Sequence, residues 1–234
     1  MNAVPHILVA DAVLRHLGWT ESSRAHMAVG AVAPDTYRIM PGEGFRGLHF
    51  RGGRRPGEKL RGFADSYVVP ALARERSDEQ AFWAGWYCHL VSDQIWRRTL
   101  MKELPGLWKT ITSSHSDERA RLRDEYQASC DRVDLQLAET PGSQVAELRW
   151  LLRAWSPSYE VGPLGPSVLR EWVLQVASSA MPPPAPTLAG AGEMDFAFVT
   201  RTMQTAQQQL CSDMGVLVRR AFASPEHEDP FEEV

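Results

Sequence analysis

FWAGWYCHLVSDQIWRR, residues 82–98, is the stretch that decides how this chain folds. Its apolar and aromatic residues leave no face free of them, so the period is that of a helix buried on most sides rather than of a strand. Yet it carries His89 and Asp93. Polar groups in such a setting cost free energy unless something satisfies them. Residues four apart share a helix face, so His89, Asp93 and Arg97 form one stripe, with Trp86 a turn earlier.

The same helical period recurs outward from this stretch. HILVADAVLRHLGW (6–19) places Leu8, Val9, Ala12, Val13 and Leu17 near one face. TESSRAHMAVGAVAPD (20–35) opens on capping residues and stops near Pro34. Residues 36–58 hold six glycines and two prolines and read as a long basic loop. Helical patterns return at 59–75, 78–102, 116–139, 142–155 and 165–181. A proline-rich connector spans 181–193, and a last helix covers about 193–223. No run alternates with period two for long, which predicts an all-α chain. The expected organisation is one helical domain over 1–223 followed by an acidic tail, SPEHEDPFEEV (224–234).

Composition narrows the function. The chain has 234 residues, a size suited to one domain, with 44% hydrophobic and 23% charged residues. A net charge of −4 and the lack of a broad basic face argue against a nucleic-acid partner. Cys88, Cys130 and Cys211 are odd in number and widely spaced, which reads as reduced thiols. The first residues lack a basic leader, and their apolar run is broken by Asp11 and Arg15. A cytoplasmic location with no transmembrane segment is the expectation.

An imidazole and a carboxylate at i and i+4 can ligate one ion, and they can equally satisfy each other. Three further polar residues stand in apolar contexts: His6 after Pro5, Asp35 after VGAVAP, and His49 within GLHF. With His89 and Asp93 they supply three histidines and two carboxylates, a set suited to Zn²⁺, with iron or manganese as other candidates. Arg97 is placed to clamp an anion, or to pair along its own helix. Arg54 and Arg55, with Arg51 and Lys59, follow His49 closely, so they would overhang the site. Arg38 is a further, weaker candidate of the same type. Trp86 is a candidate pocket wall. Tyr126 and Asp134 on a later helix also stand at a spacing that lets both face the site.

The succession PH, GAVAPD, LHF and FWAGWYCHLVSD resembles the zinc-dependent phospholipase C family, which shares its all-α fold with zinc-dependent single-strand nucleases. The resemblance covers about the first hundred residues. It implies a single multi-helix domain of that type, in which Asp35, His49, His89 and Asp93 complete one metal site. His6 would then hold a second ion, with Asp93 bridging. Secreted members carry another histidine ten residues after the motif histidine and then a His-x-x-x-Glu pair. This chain has Thr99 there and no such pair, which points to one or two ions rather than three.

The function the resemblance implies is that of a metal-dependent hydrolase of a small anionic substrate, a phosphate ester first; the residues themselves point only to a polar, metal-binding cluster. Asp35 would be general base and metal ligand, and Arg54, Arg55 and Arg97 would neutralise charge. Two rival readings stand beside it. The same metal site could serve amide, ester or lactone hydrolysis or a lyase reaction, since fold does not fix function. A non-catalytic binding protein with a relic site is the other.

Overall fold

The computed structural model describes residues 2–40, 48–49, 56–74, 77–112, 116–157, 161, 164–178 and 195–223. Among these there are helices and no strands, in agreement with the all-α expectation. The acidic tail, the whole proline-rich connector and Arg54 and Arg55 lie outside the described residues.

In chain order the α-helices are α1 (Ala3–His16), α2 (Arg24–Val32), α3 (Pro56–Phe63), α4 (Val69–Leu72), α5 (Ser77–Glu103), α6 (Pro105–Thr112), α7 (Ser116–Glu139), α8 (Val145–Ala154), α9 (Pro166–Ser178) and α10 (Phe196–Phe222). Helix α5 is the organising element. Residues 81–92 are buried without interruption, so this part of the helix has no solvent face. Helices α1, α2 and α10 pack directly against it. Helix α8 packs on α2, and α9 packs on α8 and on the turn that follows α2, so described helices beyond residue 103 build walls around the α1–α2–α5 centre. A second apolar cluster joins the far end of α5 to α6, α7 and the start of α10 through Trp96, Leu100, Leu107, Val133 and Phe198.

Helices α2 and α5 approach backbone to backbone, and two glycines make it possible. A Cβ on Gly30 would stand 2.0 Å from the Phe82 carbonyl oxygen, and one on Gly85 would stand 2.1 Å from the Met27 carbonyl oxygen. Backbone meets backbone there, which any larger side chain would prevent. Ordinary hydrophobic periodicity does not announce such a contact.

Three segments depart from the expected boundaries. The second helix is shorter at both ends: a 3₁₀ turn spans Glu21–Ser23, and α2 passes at Ala33 into a 3₁₀ segment, Ala33–Arg38. Pro34 and the tighter turn carry Asp35 past the end of the α-helix. The expected helix over 59–75 is interrupted by a π-helical turn, Ala64–Val68. Residues 105–112 form a further short helix that opens on Pro105, a residue favoured at a first helical position because its missing N–H is not needed there. The last helix, expected from about 193, begins at Phe196 after Asp195, whose side chain accepts the Phe198 amide at 2.6 Å.

The three cysteines are free thiols, Cys88 and Cys130 buried and Cys211 partly so. No helix among the described residues is long and apolar enough to cross a membrane.

Candidate metal centre

Four elements converge on one buried point. Helix α1 brings His6, the 3₁₀ turn after α2 brings Asp35, the segment Leu48–His49 brings His49, and α5 brings His89 and Asp93. All three imidazoles are nearly inaccessible, at 1–6% exposure, and the Asp93 side chain at 17% is the most open of the five.

His89 is oriented by backbone. Its Nδ1 lies 2.8 Å from the Ala31 carbonyl oxygen, which can only accept, so Nδ1 carries the proton and donates it. In the neutral ring Nε2 is then the lone pair. It faces Nε2 of His49 at 3.1 Å. That same His49 Nε2 stands 3.6 Å from Asp35 Oδ1 and 3.6 Å from Asp93 Oδ2. Asp93 Oδ2 is 3.9 Å from His89 Nε2, while its other oxygen, Oδ1, is 3.5 Å from His6 Nε2. The two carboxylate oxygens of Asp93 thus serve two neighbouring groups.

His6 stacks on His89, with ring centroids 3.9 Å apart and planes 15° from parallel. Neither of its ring nitrogens has a hydrogen-bond partner of ordinary geometry, and the approach to Asp93 is too long to count as one. Burial, with His89 against it, pushes the His6 pKa down to about 3, so this imidazole is neutral near pH 7. Burial acts to raise the Asp93 pKa, but His6, the positive amino terminus and His89 together outweigh it and hold this carboxyl well below its usual range.

The residues fit a divalent ion. Donors about 2.0–2.2 Å from one tetrahedral zinc lie about 3.3–3.6 Å from each other. Most separations in this cluster fall at or near that spacing. Two overlapping donor sets emerge, His6–His89–Asp93 and Asp35–His49–His89, each with its ligand atoms within 4.8 Å of one another. His89 has a single nitrogen to give, because Nδ1 is committed to Ala31. Its Nε2 is nearer His49 than any carboxylate, which assigns it to the set with Asp35 and leaves His6 with Asp93 Oδ1. The donation from His89 to a main-chain carbonyl is the usual support for a metal-binding imidazole.

Outer contacts position these ligands. Trp86 is wholly buried and donates its indole N–H to the Leu48 carbonyl at 3.3 Å, tying down the residue before His49. The expectation that Trp86 lines a substrate pocket is corrected accordingly: it packs among Phe63, Phe82 and Trp83, and supports His49 from behind. Trp172 donates to the Val32 carbonyl at 2.8 Å and so holds the end of α2, just before Asp35. At the start of α1, Asn2 donates to Asp131 at 2.7 Å and accepts from Gln127 at 2.8 Å. Asp134 receives the Val4 amide, so α7 caps the helix that carries His6.

Of Arg54, Arg55 and Arg97, the arginines expected to bind an anion, Arg97 alone lies among the described residues, and its place is corrected. Arg97 is exposed, with its guanidinium 5.3 Å from the centroid of the Trp108 ring, so it stacks on α6. Among the described residues the cation beside the cluster is Arg38, 3.6 Å from Asp35 Oδ2 and 38% exposed. Tyr37 stands next to it, its ring edge-on to His49 with centroids 5.6 Å apart. Tyr126 accepts the Trp96 indole N–H at 2.8 Å, and burial raises its pKa. Asp134 sits at the α1 cap instead of facing the cluster. The roles of Ala31, Trp172 and the two glycines were invisible in the sequence pattern, since each works through main-chain atoms. No protein-family model, no curated protein and no solved structure matches this chain.

Proposed function

We propose that the protein is a metal-dependent hydrolase acting on a small phosphate ester, of the zinc-dependent phospholipase C type. The observation that carries this reading is the His49–His89 pair, two Nε2 atoms 3.1 Å apart among two carboxylates. The all-helical fold and the order of the motifs are compatible with it.

A bound zinc, or a comparable divalent ion, would supply Lewis acidity, making a water more acidic and polarising an ester oxygen. The chain's own residues do the rest. His89 holds its ligand nitrogen in a fixed tautomer with His49 facing it, and Asp93 spans toward His6. Asp35 reaches the cluster through Oδ1, from where it takes a proton from the attacking water as general base. Arg38, at the outer edge beside Asp35, neutralises charge developing on the phosphoryl group, the role first expected of Arg97. The buried setting keeps bulk water out and strengthens each of these interactions.

A second reading rests on the same geometry. Asp35, His49, His89 and Asp93 are four donors, enough to close a tetrahedral shell, and a closed shell is structural rather than catalytic. Metal analysis joined to an activity assay separates the two. The protein purified without added metal should hold one or two equivalents of zinc, iron or manganese, lost in His89→Ala, and should hydrolyse bis(p-nitrophenyl) phosphate. Metal without turnover on any phosphate ester would favour the structural reading. No metal after reconstitution with each ion would sink both.

A further inference from the structure

On the far side of α5 from the histidines lies a cavity of about 470 Å³. Tyr87, Val91, Gln94, Ile95 and Arg98 form its α5 wall, a stripe at i, i+4, i+7, i+8 and i+11. At about 100° per residue this stripe is centred roughly 160° around the helix from His89 and Asp93. The cavity is therefore separate from the candidate metal centre, and its ligand chemistry is independent of that centre.

Its lining is divided. Leu60, Ala64, Val91, Ile95 and Leu217 make an apolar floor, while Arg61, Arg98 and Arg220 contribute three cations. Arg220 is paired with Asp65 at 2.6 Å. Arg61 and Arg98 have no hydrogen-bond or ion-pair partner among the described residues. The one carboxylate in the lining, Asp213, is already engaged: Oδ1 accepts Gln209 at 2.7 Å and Oδ2 accepts the Tyr87 hydroxyl at 3.4 Å. So the cavity lining has uncompensated positive charge above an apolar base. The π-helical turn Ala64–Val68 begins at one lining residue, and such turns recur at functional sites because they redirect the residues around them. The volume falls within the range of small-molecule sites.

We propose that this cavity binds an organic anion with an apolar body, its phosphate or carboxylate head held by Arg61 and Arg98 and its body laid on Val91, Ile95 and Leu217. A planar guanidinium pair accepts either head in a forked arrangement. Neither the head alone nor the apolar body alone would satisfy both halves of the lining.

Calorimetric titration of the full chain with decyl phosphate and with decanoate tests this and tells the two heads apart. The expected result is saturable binding of one equivalent of at least one of them. 1-Decanol and inorganic phosphate should bind at least tenfold more weakly. Arg61→Gln/Arg98→Gln should weaken the amphiphile at least tenfold, and so should Val216→Trp, which blocks the rim with the charges intact. Binding should persist in His49→Gln. Equal binding of decanol, non-saturable uptake, an unchanged affinity in both the arginine and the rim variants, or loss in His49→Gln would each overturn the proposal. Circular dichroism identifies any variant that fails to fold, and the exposed positions of Arg61, Arg98 and Val216 make the three substitutions mild.

Discussion

His89 donates its Nδ1 proton to the carbonyl oxygen of Ala31 across 2.8 Å, and this single contact turns a buried histidine into an oriented lone pair. Without it the Nε2 atoms of His49 and His89, 3.1 Å apart, could share a proton in either sense. With it, Nε2 is the accepting nitrogen of the neutral His89 ring. A proton on His49 or a shared cation can occupy the gap, and two carboxylates and a partnerless His6 favour the cation.

Metal removal should therefore destabilise the fold. A ligand present at a thousand times its dissociation constant adds about 4 kcal/mol to stability. Chelation by EDTA should lower the melting temperature of the native protein by several degrees and leave His89→Ala unmoved. His26→Ala is the control: His26 lies away from the cluster, accepting the Trp155 indole N–H at 3.2 Å. An equal response to EDTA in native protein and His89→Ala would argue against a metal at this site.

The glycine contact is the most sensitive point of the fold. Gly30→Ala or Gly85→Ala puts a methyl within about 2 Å of a main-chain oxygen, so α2 and α5 must separate. The loss should be about 3 kcal/mol or more, at or above the usual overpacking range because backbone cannot rotate away. Because Ala31 follows Gly30, these variants should also lose metal, whereas Gly106→Ala, with nothing near its added Cβ, should retain both stability and metal. Urea unfolding with metal analysis reads both effects.

Trp86→Phe keeps most of the ring volume and deletes only the indole N–H that holds Leu48. Outer contacts of this kind are worth about tenfold to a hundredfold in metal affinity. A competition titration against a zinc indicator should show that loss with little change in secondary structure. An unaltered affinity would mean that His49 is held by other contacts.

Asp134 offers a pH test away from the ligands. Burial, which its hydrogen bonds with Val4 and Asn2 only partly offset, raises its pKa from 3.8 to about 7, and Oδ1 has no partner. The folded state then binds this proton more tightly than the unfolded chain does. Stability from this group is fully present below about pH 4 and is lost as pH rises toward 7. Relative to the native protein, Asp134→Asn should gain stability at pH 8 and little at pH 4.5, by an amount on the order of 2 kcal/mol. An Asn can still accept the Val4 amide, so the α1 cap survives. A native-minus-variant difference independent of pH would show that Asp134 does not titrate in this range.

Much of the architecture was legible in the residues themselves. The helical period of 6–19, 82–98 and 196–222 follows from side-chain spacing, and an all-apolar helix carrying His89 and Asp93 announces a buried polar cluster wherever it packs. The five residues His6, Asp35, His49, His89 and Asp93 were identifiable because each is a polar group in an apolar setting, which is a local property. The helix Pro105–Thr112 and the π-turn were not, since short segments carry too few periodic residues to declare themselves.

Sequence alone thus determined which groups must be satisfied inside the protein, because burial follows from hydrophobic pattern. Only the tertiary structure decided how they are satisfied. The proton on His89 is placed by a carbonyl 58 residues away, and the approach of α2 to α5 is set by two glycines that face each other's main chain. Arg97 and Trp86, which spacing alone puts on the metal stripe, are drawn off to Trp108 and to the Leu48 carbonyl, and Arg38 takes the place beside Asp35. These are long-range, main-chain and ring contacts. They depend on where helices cross in space, and no periodicity along the chain encodes that.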